Sequence, residues 1–184
     1  MTMTHDELVT VARSWLIKSW RRTGRQGARG GCSVVLSELT SSAFETPDAI
    51  GWCENRSFLI ECKVSRSDFR ADTRKFVRRN AEMGVGNFRY YMAPVGLILP
   101  QQLPTGWGLI EVNESMRARV VVDSGPFQPD RDSELRMMLS LLRRLDIPNG
   151  KHAAIRSYTI KGDREPRAKV TMTKPVPVPV ERTV

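Results

Sequence analysis

Residues 46–63 read Thr46-Pro47-Asp48-Ala49-Ile50-Gly51-Trp52-Cys53-Glu54-Asn55-Arg56-Ser57-Phe58-Leu59-Ile60-Glu61-Cys62-Lys63. Two short apolar runs flank the polar trio Glu54-Asn55-Arg56, the pattern of two strands joined by a tight turn. If Cys53 pairs with Arg56, paired residue numbers sum to 109, and Asp48 falls opposite Glu61. Side chains alternate along a strand, so Glu61 and Lys63 share a face while Cys62 points away. Directly opposed residues share a face as well. Asp48, Glu61 and Lys63 are therefore expected to converge on one spot.

Two carboxylates that close raise one another's pKa unless positive charge lies between them. A hard cation such as Mg²⁺ suits them, because it takes oxygen ligands and retains waters. Lys63 would orient or deprotonate an attacking water, or steady the charge on a phosphate. A surface hairpin with a solvated Glu61 and Lys63 fits the same spacing. Burial weighs against it: Phe58, Leu59, Ile60, Cys62 and Val64 make the second strand apolar on both faces, like a central strand. Charged side chains are rarely buried without partners.

Pro47-Asp48 followed by Glu61-Cys62-Lys63 resembles the PD-(D/E)xK nuclease superfamily. The longer run Ile60-Glu61-Cys62-Lys63-Val64-Ser65-Arg66-Ser67-Asp68-Phe69-Arg70-Ala71-Asp72 is similar to the MmcB-type DNA-repair nucleases and related phage proteins. So are Arg89-Tyr90-Tyr91-Met92-Ala93-Pro94 and Gly106-Trp107-Gly108-Leu109-Ile110, and the likeness spans residues 5 to 122. It departs at Arg74-Lys75-Phe76, where those proteins often carry Lys-Trp, which bears on Lys75. The resemblance implies an α/β fold with a restriction-endonuclease-like core, a mixed central sheet flanked by helices. It also implies hydrolysis of DNA phosphodiester bonds with Mg²⁺ or Mn²⁺ held by Asp48 and Glu61. Glu38 occupies a place where MmcB-type sequences carry a Glu, which makes it a third acid of the site. Ser65 and Lys75 are brought near the site by resemblance alone.

Composition bounds the alternatives. A chain of 184 residues, 40% hydrophobic and 27% charged, is long enough for one domain with a core. That domain is expected over residues 1–150, with a basic, proline-containing tail over 151–184. No signal-peptide pattern and no membrane-length apolar run is apparent, so a cytoplasmic protein of a bacterial or phage-infected cell is expected. Cys32, Cys53 and Cys62 lie in or beside apolar runs at no zinc spacing, and read as reduced core residues. The net charge of +9 favours a polyanionic partner. Residues 31–62 hold one basic residue against five acids, whereas 1–30 hold six against two and 63–89 eight against three. An acidic segment between basic ones supplies carboxylates for a cation and cations for phosphates. Pure nucleic-acid binding has no use for those acids.

Thr4-His5-Asp6-Glu7 has the form of a capping box opening a helix, with Leu8, Val11, Ala12, Trp15, Leu16 and Trp20 as its stripe. Glu7 is read as a capping residue before a site residue, and His5 as a helix-terminal one. The glycine-rich stretch 23–31 is a loop lacking a nucleotide-binding ending; Arg25 and Arg29 in it are candidates for phosphate contacts. Residues 33–38 read as the first strand, ending at Glu38, whose rival for the site is Glu45. After Lys63, Ser65 and Ser67 offer helix caps. Phe69, Phe76 and Val77 would be buried, and Arg70, Arg74 and Arg78 form a stripe, either solvated or tracking phosphates. Further strands are expected at 88–92, 95–99, 108–112 and 119–122. Tyr90, Tyr91 and Trp107 fit core packing better than base stacking. A helix over 130–145 carries Leu135, Met138, Leu139 and Leu142. The alternating prolines of 174–180 favour an extended tail suited to a protein partner or a homodimer contact. Two functions remain in competition: a metal-dependent DNA endonuclease, and a DNA-binding or adaptor protein that keeps the fold without catalysis. Substrate topology, and DNA against RNA, stay open.

Overall fold

The computed structural model describes residues 3–18 and 31–144. The candidate tail and the loop holding Arg25 and Arg29 lie outside the described residues. The chain opens with helix α1 (His5–Lys18) and continues as a meander of β1 (Val34–Ser37), β2 (Ala49–Cys53) and β3 (Arg56–Cys62). Two short helices follow, α2 (Arg66–Asp72) and α3 (Phe76–Arg79), then β4 (Phe88–Pro94), β5 (Gly108–Val112), β6 (Ala118–Val122) and α4 (Arg131–Arg144). The six strands form one sheet in chain order. The pairs β1–β2, β2–β3 and β5–β6 are antiparallel, while β3–β4 and β4–β5 are parallel. The fold is thus α/β, with a mixed sheet flanked by helices. No described helix is long and apolar enough to cross a membrane.

Alternation divides the sheet's residues between two cores. Leu8, Ala12 and Leu16 of α1 pack with Ala49, Phe58, Ile60, Cys62, Tyr90 and Met92 on one face. Leu36, Ile50, Leu59, Tyr91 and Leu109 pack with Phe69 of α2 and Met137 and Leu141 of α4 on the other. The hairpin register is the expected one, with Ala49 opposite Ile60 and Cys53 opposite Arg56. The turn is Glu54-Asn55, Glu54 taking the left-handed conformation at φ 55°. The three cysteines are buried and unpaired, as free core residues.

The turn end of the hairpin is fastened to α4. Buried Glu134 accepts from Ser57 Oγ at 2.6 Å, Gly86 N at 3.0 Å and Trp52 Nε1 at 3.3 Å. Arg131 donates to Glu134 at 2.7 Å and to the carbonyl of Asn55 at 3.0 Å. A buried carboxylate needs this many donors to offset its desolvation.

Several local expectations fail. Residues 95–99 are not a strand: Gly96 turns the chain with φ 73°. On α4 the buried positions are Ser133, Glu134, Met137 and Leu141, while Leu135, Leu139 and Leu142 are exposed. The apolar pattern misplaces this face because the inward side is partly polar. Phe76 is exposed rather than buried, because the helix breaks after Asp72 and the spacing from Phe69 is not helical throughout. On α1, Leu8, Val9, Ala12 and Leu16 are buried, with Val11 and Trp15 only partly so. Tyr90, Tyr91 and Trp107 are core residues, as expected.

Candidate functional site

The hairpin's open end carries Asp48 just before β2, Glu61 within β3 and Lys63 just after it. Lys63 Nζ lies 3.0 Å from Glu61 Oε2 and 3.7 Å from Asp48 Oδ2, so the three groups meet as the alternation requires. Asp48 Oδ2 also accepts the backbone N–H of Cys62 at 2.7 Å, which ties the acid to the facing strand. The backbone N–H of Lys63 donates to Met92 at 2.9 Å and extends the parallel ladder past Glu61. Glu61 and Lys63 are deeply buried, at 1% and 4% exposure.

Behind this trio lies a second layer centred on Asp72, which the sequence reading did not single out. Asp72, at the end of α2, accepts from Tyr91 Oη at 2.8 Å and from Arg78 Nε at 2.8 Å. Its other oxygen lies 2.7 Å from Lys75 Nζ and 3.4 Å from Lys63 Nζ. Arg78 of α3 pairs with Glu45 and Asp72, reaches Glu61 Oε1 at 3.1 Å, and stacks 4.6 Å above the Trp107 ring. Trp107 in turn stacks on Tyr91 at 4.5 Å. The signal for Asp72 was its place: Asp68 sits in the first turn of α2, where an acid is favoured, whereas Asp72 closes the helix, where an acid is disfavoured unless it is paired.

Arg78 therefore corrects the expected stripe. Its side chain is 1% exposed and saturated with carboxylates, so it does not reach a phosphate. Arg70 and Arg74 are exposed as expected. Glu45, the rival acid, is buried, accepts from Val85 N at 3.2 Å and holds Arg78. Ser65 caps α2, its hydroxyl accepting from Asp68 N at 3.1 Å, and that oxygen is already engaged. Lys75 is half-exposed and lies 3.8 Å from Glu61.

Glu38 leaves β1 with φ 51°, a left-handed conformation that non-glycine residues seldom take. Its carboxylate lies 3.8 Å from His5 Nε2, and that nitrogen is 3.6 Å from Asp48 Oδ1. His5 is thus both a helix-terminal residue and a bridge between two acids, the second role going unseen in the sequence. Glu7 forms the capping box, accepting from Thr4 N at 2.8 Å, and takes no part in the acid cluster.

Charge is unbalanced in the buried network. Asp48, Glu45, Glu61 and Asp72 are four acids, facing the three cations Lys63, Lys75 and Arg78. The deficit settles on Glu61: burial pushes its carboxyl up to about 8, against the pull of Arg78, with Asp48 adding to the rise. Its Oε1 has no hydrogen-bond partner, Arg78 being close without the right geometry. Asp72 differs: burial would raise it, but Arg78, Lys63 and Lys75 outweigh burial and hold it well below the usual carboxylate range. Burial would lower Lys63, but Glu61, Asp48 and Asp72 outweigh it and hold the ammonium charged.

Among the described residues no group of three or more His, Cys, Asp or Glu side chains is placed to hold a metal ion. The donor set nonetheless suits a hard divalent ion. It offers carboxylate oxygens, a surplus of negative charge and one unsatisfied oxygen on Glu61. A cleft of about 920 Å³ opens nearby, lined by Glu7, Val64, Val95, Val112, Glu114 and Met116 among others, with no basic side chain. The described residues that line it offer no counter-charge to a polyanion.

No family model and no curated protein matches the chain. A solved structure of a protein of unknown function from Silicibacter pomeroyi is similar at 19% identity, with a TM-score of 0.46 over 64% of this chain and 82% of that one. A likeness that loose carries no argument about what this chain does.

Proposed function

We propose that the chain is an endonuclease that hydrolyses DNA phosphodiester bonds with Mg²⁺ or Mn²⁺. The observation that carries this reading is the meeting of Asp48, Glu61 and Lys63 at the open end of one hairpin. The ion, held by Asp48 and Glu61 with Glu38 at the rim, would polarise the phosphoryl oxygen and make water more acidic. Lys63, kept charged by its three carboxylates, steadies negative charge on the phosphate and orients water rather than accepting a proton. Asp72 holds Lys63 and Lys75 on the site side of α2, and Arg78 holds Asp72 and Glu45 beneath. Exposed Arg70 and Arg74 supply phosphate contacts, so binding weakens as salt rises.

The test is Mn²⁺-dependent cleavage over a panel of duplex, single-stranded and branched DNA and of RNA. Asp48→Ala and Lys63→Ala each abolish cleavage while the far-ultraviolet circular dichroism stays native. Full cleavage by both variants refutes the assignment. One observation favours the rival, a non-catalytic DNA-binding or adaptor protein: Glu61 and Lys63 are almost entirely covered. That rival stands if the wild type binds DNA and no divalent ion elicits cutting.

A further inference from the structure

The outer surface of α2 and α3 is cationic. Arg66, Arg70, Arg74, Lys75 and Arg79 are exposed, while Asp72 of the same stretch is turned inward. Two phenyl rings are bare, one on α3 and one in the segment before β2. Phe76 is 60% exposed and Phe44 65% exposed. Phe76 directly follows Lys75, whose ammonium sits at 2.7 Å from Asp72. Phe44 directly precedes Glu45, which pairs with Arg78. Both rings thus adjoin residues of one ion network, Lys75 on Asp72 and Glu45 on Arg78, which itself holds Asp72.

Folding gains nothing from leaving two large apolar rings in water. Phosphate contacts alone need only the cations. Aromatic rings set among cations are what bases stack on when they are free of a duplex, whose stacked interior hides their faces. Resting on the nuclease reading for the site itself, we propose that Phe44 and Phe76 form a stacking platform for unpaired bases. The strand delivered to Asp48, Glu61 and Lys63 is then single-stranded DNA or the unpaired part of a distorted duplex.

The test is fluorescence anisotropy with a short labelled oligothymidylate and a duplex of the same length, at low salt with a chelator so that nothing is cut. The wild type binds the single strand more tightly. Phe44→Ala and Phe76→Ala each weaken single-strand binding about tenfold, well beyond any change on duplex, and Phe44→Tyr and Phe76→Trp restore it. Equal losses on both substrates, no loss on either, or a wild type that prefers duplex overturns the platform. Cleavage with Mn²⁺, measured in parallel, separates the two ideas. A wild type that shows the single-strand preference but cuts nothing sinks the nuclease assignment and leaves the platform. Cutting by a protein whose binding ignores both rings sinks the platform alone.

Discussion

Replacing Glu61 with Gln isolates the titration at the centre of the network. In the folded chain the Glu61 carboxyl keeps its proton up to about 8, against an ordinary value of 4.5. The folded state therefore binds more protons than the unfolded one between those values, and stability falls as pH rises through that window. At about 1.4 kcal/mol per pH unit, the gap amounts to on the order of 5 kcal/mol, present in full below 4.5 and lost by pH 8. Glu61→Gln leaves three acids, Asp48, Glu45 and Asp72, against Lys63, Lys75 and Arg78, and has no proton to lose. Urea unfolding at pH 5 and pH 8 in chelator should show the wild type losing several kcal/mol more than the variant. Millimolar Mg²⁺ should then raise the wild type's stability more at pH 8 than at pH 5, since an ion competes with the proton, and leave the variant unmoved. An identical pH slope in wild type and Glu61→Gln would refute the charge argument.

Arg78→Ala leaves Glu45 and Asp72 buried without their main partner, and should cost about 3–5 kcal/mol in urea unfolding. A phosphate-binding arginine would instead cost affinity and little stability. Tyr91→Phe removes one hydrogen bond to Asp72 and should cost about 1 kcal/mol by the same assay. Arg70→Ala and Arg74→Ala should each lower the slope of log affinity against log salt by about 1 while leaving the melting temperature alone; an unchanged slope in both removes them from the DNA path.

The site's core was legible because a two-residue turn and strict alternation leave only one way to pair Asp48 with Glu61. The layer behind it was not. Nothing in Asp72-Thr73-Arg74 announces that the helix stops, so Arg78 was phased with Arg70 when it turns inward instead. Glu45 was unreadable for a related reason: a buried acid looks like a surface acid until its partner is known, and Arg78 lies 33 residues away. His5 was taken for a helix-terminal residue, which it is, while its neighbours Glu38 and Asp48 come from other parts of the chain. The face of α4 was misplaced because Ser133 and Glu134 point inward, breaking the apolar rhythm that marks a buried side. The run 95–99 shows the converse, an apolar stretch that glycine bends out of any strand.

The grip of Glu134 and Arg131 on the hairpin's turn reaches further than local stability. A slip of one residue between β2 and β3 would exchange the two faces, sending Glu61 toward α1 and bringing Cys62 to the acids. Ser57, where α4 takes hold, lies four residues from Glu61, about 13 Å along an extended strand. The acid cluster at one tip of the hairpin is thus kept in phase by a peg at the opposite tip, and substitutions in a distant helix would surface as a fault in alignment.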